Sequence, residues 1–173
     1  MKRQSTLGRA SRSRGQALVE FALVFPVALL LLLAVVDIGR AVFIYNGLTN
    51  AAREGARLAI VNQDKALVAQ RVQETAFGSG LSNLTDLDDL VSFYKEDPNL
   101  DPDDPTAPQC TTMATGCVAV VTAKVDWSAI TPIIGSIIGP ISLTARSALP
   151  VEFVCPNPKY PSYATSTLCP KQP

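Results

Sequence analysis

The chain has 173 residues, with 15 basic and 15 acidic side chains and no histidine. That length suits one domain plus a membrane segment, and the lack of histidine removes the usual acid–base group near neutral pH. The charge is unevenly spread: five basic residues and no acidic one precede Gly15, leaving a net −5 on the rest.

Residues 1–15 form a basic leader carrying Lys2, Arg3, Arg9, Arg12 and Arg14, and are expected to be disordered. A basic arm can serve nucleic acid. The apolar run behind this one argues against that role, and no nucleic-acid partner is expected. From Ala17 to Val36 every residue is apolar or proline except Glu20. As a helix this stretch, 17–36, spans about 30 Å, the thickness of the hydrocarbon core of a lipid bilayer. The basic cluster before it keeps the N-terminus in the cytoplasm. The expected location is the cytoplasmic (inner) membrane, single-pass, with the C-terminal domain extracytoplasmic. A cleaved secretory signal would have a shorter apolar region and a small-x-small site after it; here Asp37, Gly39 and Arg40 come next.

The helical rhythm continues past the membrane run. Ile44, Leu48, Ala51, Ala52, Gly55 and Ala59 fall three or four apart and share a face. One long helix is expected over 16–61, with Asp37 and Arg40 pairing at i,i+3. Asn62-Gln63-Asp64 offers a break and an N-cap for a second helix, Lys65–Phe77, which Gly78-Ser79-Gly80 ends. Strands are expected at Leu90–Lys95, Val118–Trp127 and Ile141–Val154, with Pro150 at an edge or bulge. TPIIGSIIGP reads as an apolar connector between the last two. The fold class is α+β: a small antiparallel sheet packed on the upper half of the long helix, since three strands need such a partner. The exported domain covers 62–154, and 155–173 is an irregular tail rich in proline.

All four cysteines, Cys110, Cys117, Cys155 and Cys169, lie beyond the apolar run. Export puts them in an oxidising compartment, where disulfides are expected. Three connectivities are possible; proximity in sequence favours Cys110–Cys117 and Cys155–Cys169. With no C-x-x-C pair and no histidine, a zinc site is not expected. Asp97, Asn99, Asp101 and Asp103 imitate the start of a calcium loop, but Pro102 and Pro108 stand where such a loop needs glycine and glutamate. A solvated acidic loop is the expectation, with no cofactor. Asn83-Leu84-Thr85 has the form of a glycosylation acceptor. No nucleophile elbow, P-loop or dinucleotide fingerprint is present, so no enzyme activity is expected. Ala51, Gly55 and Ala59, spaced by four, permit close helix packing, expected against the protein's own sheet. Arg53 and Arg57 are expected to pair with nearby acids.

The functional motif lies where the leader meets the apolar run: Arg14-Gly15-Gln16-Ala17-Leu18-Val19-Glu20-Phe21. A carboxylate in that run is costly, by about 2.5–3.5 kcal/mol at a helix centre and less near an end. It is either a tolerated interfacial charge or a functional group. Cleavage after Gly15 would give Gln16 a cationic amine one helical turn before Glu20. The two can pair within one chain or between adjacent spans.

Two stretches, RGQALVEFALVFPVALLLLLAVVDIGR (Arg14–Arg40) and LTNAAREGARLA (Leu48–Ala59), resemble the TadE-like minor pilins, or pseudopilins, of the Tad (tight adherence) pilus system, a branch of the type IV pilus family. Gly15, the Glu20-Phe21 pair, Pro26, Asp37 and the Ala-Ala-Arg-Glu-Gly-Ala-Arg run carry the resemblance, and LTARSALPVE adds a weaker one. The Asp-rich stretch and the cysteine-bearing tail have no counterpart in it. The resemblance implies that a prepilin peptidase cleaves after Gly15 and that the subunit helps build or cap an adhesive pilus. Processing would involve Gly15, Gln16, Glu20 and Phe21, and assembly Glu20 and Pro26. The implied partners are the peptidase, other Tad pilins, assembly-platform membrane proteins and the lipid bilayer. The alternative is an uncleaved, membrane-anchored binding module with an exported domain.

Overall fold

The computed structural model describes residues 11–78, 84, 90–95, 107–157, 159–160, 162 and 164–170. The first ten residues of the leader, the calcium-like pattern 97–103 and most of the Asn83 triplet lie outside the described residues.

One helix, α1, runs from Ser11 to Ala59. It starts inside the stretch expected to be irregular; no proline interrupts Ser11–Gln16. It ends two residues before Val61. The turn closes with Ile60 N bonded to Ala56 O at 3.1 Å and Asn62 N to Leu58 O at 2.8 Å. Pro26 lies within α1. It supplies no amide hydrogen for the carbonyl one turn earlier.

After the bend, Asp64 caps α2, Lys65–Gly78: its Oδ1 accepts from Ala66 N at 3.0 Å. Asp64 N is in turn held by Asn62 Oδ1, also at 3.0 Å. Val68, Val72 and Ala76 form the buried face of α2, packed on α1. Gly55 allows that approach. A Cβ there would run into Val72 and lie 3.2 Å from Val121 Cγ1.

Three antiparallel strands, β1 (Val91–Lys95), β2 (Cys117–Trp127) and β3 (Ile141–Pro150), form one sheet in the order β1-β2-β3. The β2–β3 ladder runs from Val118 opposite Pro150 to Trp127 opposite Ile141. On β2, β1 pairs with Cys117–Val121, and its other edge bridges Gln109 through Tyr94. Ala119, Val121, Ala123, Val125 and Trp127 alternate along β2 and are buried; Val120, on the other face, is buried too. With Leu48, Ala51, Ala52, Ala56 and Ala59 of α1 and the buried face of α2, Ala119, Val121, Ala123 and Val125 form the core.

Two expected elements differ. TPIIGSIIGP is not a plain connector: Pro132–Ile138 forms a short helix, α3. Pro132 stands in the first helical turn, where its missing N–H costs nothing, and Gly139, at φ +72°, turns the chain into β3. The last strand stops at Pro150 rather than Val154. Beyond it, Glu152 N and Phe153 N both bond to Ile60 O, at 3.1 and 3.0 Å. The end of α1 leaves carbonyls without helical partners, and these amides satisfy one of them instead of extending the ladder.

Both disulfides follow sequence proximity: Cys110–Cys117 and Cys155–Cys169. The second holds the tail against the α1–α2 bend. There Asn62 Nδ2 donates to Pro170 O at 2.9 Å, and Gln63 bonds Phe153 O and Cys155 N.

Candidate functional site

The candidate residues lie along α1, at three levels. At the lowest level, Gly15 to Leu29 are all exposed, and Gly15 has open space where a side chain would go. Any need for glycine at that position therefore comes from a partner, not from this fold. Gln16 and Glu20 are one turn apart on this bare stretch, and Phe21 and Phe25 stack with ring centroids 5.3 Å apart. Leu18, Leu23, Leu31 and Val35 are each more than 60% exposed. Such a run is unfavourable in water. α1 is long and apolar enough to cross a membrane, and it is the one described helix that is.

The middle level is Asp37. Local spacing pairs it with Arg40. Instead its carboxylate accepts three hydrogen bonds from the segment after β2: Ile130 N at 3.0 Å, Thr131 N at 3.1 Å and Thr131 Oγ1 at 2.7 Å. Arg40 Nη1 donates to Ser128 O at 2.9 Å. Asp37 is buried although the residues on either side of it are exposed. Charge-assisted bonds of this kind are short and directional, so the pair pins the base of the sheet to α1. A separation of 94 residues between Asp37 and Thr131 hid this contact from the sequence. The available signal was a lone acid ending an apolar run, with no charged residue from Trp127 to Ala145 to face it. Beside the pin, the buried Trp127 Nε1 has no acceptor among the described residues.

At the upper level, Ala51, Gly55 and Ala59 are buried against α2 and the sheet of the same chain. Arg57 pairs with Glu54 at 3.0 Å, at the surface, where an ion pair contributes little. The distal end also holds an open cleft of about 620 Å³, lined by Ala114, Thr115, Glu152, Phe153, Asn157 and Tyr160 among others. Of these residues the sequence marked only Glu152, at the end of LTARSALPVE.

The levels can be scaled. Glu20 and Asp37 are separated by about 26 Å along α1, close to the roughly 30 Å of a bilayer core. The two carboxylates therefore bracket Phe21–Val36, the larger part of the apolar run. Above it, the chain from Arg40 through the end of α1 to Ile60 rises about 30 Å. β2 descends about 33 Å over its length, from Cys117, whose carbonyl accepts from Val151 N beside Ile60, to Trp127 beside Ser128 and Arg40.

Residues 15–57 match a family model described as TadE-like protein. The match begins at Gly15 and covers most of α1. The sheet, both disulfides and the tail lie outside it. No curated protein and no solved structure matches the chain.

Proposed function

We propose that this chain, TadE-like over residues 15–57, is a minor pilin-like subunit of a Tad-type pilus. A prepilin peptidase cleaves it after Gly15, and it takes part in pilus assembly and adhesion as a structural, non-catalytic component. The observation that supports the reading most is the coincidence at Gly15. The family match starts there, and from there to Leu29 the helix is bare on all sides. Such a segment suits an enzyme that needs close approach to the backbone, and then neighbours that cover the apolar surface.

Glu20 has a definite role in this reading. Cleavage leaves an amine on Gln16, and between adjacent helices that amine meets Glu20 of the next subunit. In a medium of low polarity the pair sets the axial register, since a slip of one turn leaves both charges unpaired. Pro26 frees a backbone carbonyl in the same segment, which also needs a partner in lipid. The partners are the peptidase, other Tad pilins and the assembly platform.

The test is the N-terminus of protein extracted from membranes, which should be Gln16. Replacing Gly15 with a bulky residue should leave the full-length form. Glu20→Leu should still insert and be cleaved but be lost from sheared pili or the assembly complex, with Glu20→Gln intermediate. A mature start beyond Asp37 would end the pilin reading. Normal assembly of Glu20→Leu would reduce Glu20 to a tolerated interfacial charge.

A further inference from the structure

The base of the exported domain carries an apolar surface that the proposed function does not use. Ile130, Ile137, Ile138 and Ile141 are exposed, Ile137 at 78%. They belong to the segment Trp127–Ala145, which has no charged residue. The segment is held at one height on α1. Its start is fixed by the bonds of Ile130 and Thr131 to Asp37, and the strand ends Trp127 and Ile141 pair beside Arg40. α3 has seven residues, about 10 Å of helix. With both ends tethered, it cannot lie far above or below Asp37.

That height is where the membrane run ends. Val36 is the last residue of the run, and Asp37 comes directly after it. On α1 at the same height Ile38, Val42 and Phe43 are also exposed. Asp37 and Arg40 are the only charged residues of α1 between Glu20 and Arg53, and both are hydrogen-bonded into the segment. The nearest charge on the sheet is Asp126, exposed one residue above Trp127, which falls at headgroup height.

We infer that Ile130–Ile141 is a second membrane contact: α3 and its flanks sit in the interfacial layer of the outer leaflet, beside the span, with Ile130, Ile137, Ile138 and Ile141 in lipid. The occupant is the bilayer because the patch is continuous with the span and pinned to its outer end. An apolar stretch of about 10–14 residues is too short to span and suits an interfacial position, where binding grows with the apolar area buried. The domain therefore rests on the membrane by two points, which fixes its tilt before any assembly step. This inference rests on α1 spanning the membrane but not on cleavage or on a pilus.

The test uses the full chain with its disulfides intact, reconstituted in phosphatidylcholine–phosphatidylglycerol vesicles with bromines at shallow or deep acyl positions. Trp127 is the only tryptophan and reports without substitution: its emission should be quenched by the shallow bromines. A second probe, Ile137→Trp with Trp127→Phe, should be quenched more strongly. Tyr160→Trp in the same background, at the distal end, should show no loss. Resistance to carbonate extraction checks the span separately. If the protein resists extraction but the Ile137→Trp probe is no more quenched than the Tyr160→Trp probe, the second contact is wrong and the span stands. A blue-shifted emission insensitive to bromine would put a second copy over the patch and overturn the lipid assignment. Extraction by carbonate overturns both.

Discussion

Replacing Gly55 with alanine sets two effects against each other. In an open helix, alanine in place of glycine stabilises by about 0.8–1.0 kcal/mol. At Gly55 the new methyl group would overlap the Val72 side chain and lie 3.2 Å from Val121 Cγ1 and 3.6 Å from Val68 Cγ1. These contacts come from two elements, α2 and β2, so moving one does not clear the other. Val72 is fully buried and β-branched, and has little rotamer freedom with which to give way. Overpacking of this kind costs about 1–3 kcal/mol. Subtracting the propensity gain leaves a net loss of about 1 kcal/mol, and Gly55→Leu should lose more. Gly39→Ala is the matched control. Nothing lies within 4 Å of its added Cβ, so it should be neutral or stabilise by up to about 1 kcal/mol. The assay is urea unfolding of the exported domain in the full-length chain in detergent, followed by Trp127 fluorescence. If Gly55→Ala is as stable as wild type or more so, the close approach of α1, α2 and β2 at this point is wrong.

Asp37→Asn keeps one acceptor oxygen but puts an NH2 donor in place of the other, facing either Ile130 N–H or the N–H and hydroxyl of Thr131. Amide exchange at Ile130 and Thr131 should quicken while the Ala119–Ala123 ladder stays protected; unchanged exchange would refute the pin. Serine at both Cys155 and Cys169 opens a loop with a sequence separation of 14, costing about 3 kcal/mol. Limited proteolysis should then cut the tail before the strands. Asn62→Leu removes the donor to Pro170 O and the acceptor for Asp64 N. A loss of about 1–3 kcal/mol is expected for buried groups left unsatisfied, measured by the same unfolding curves.

Much of this architecture is readable from the order of residues. The span, the continuation of its helix, the second helix, the three strands and the proximity of the cysteine pairs all depend on near neighbours in sequence. Periodicity, caps and turn residues report such relations directly. Two misreadings share a physical cause, the short reach of those signals. α3 reads as a connector because seven residues with an inner glycine give too short a period to detect. β3 reads on to Val154 because alternation persists there, while the amides of Glu152 and Phe153 serve the end of α1.

The apolar run, the placement of Glu20 inside it and the TadE-like pattern around Gly15 are properties of the sequence itself. They depend on composition and on spacing within a few helical turns. Only the tertiary structure decided what Asp37 does. Judged by local spacing it had Arg40 three residues away, but a carboxylate takes the partners whose geometry saturates it. Those are the amides of Ile130 and Thr131 and the Thr131 hydroxyl, brought across by the segment between β2 and α3. The same tethering sets the height of the exposed isoleucines on α1. No local pattern encodes that height, because it comes from matching about 33 Å of strand to about 30 Å of helix.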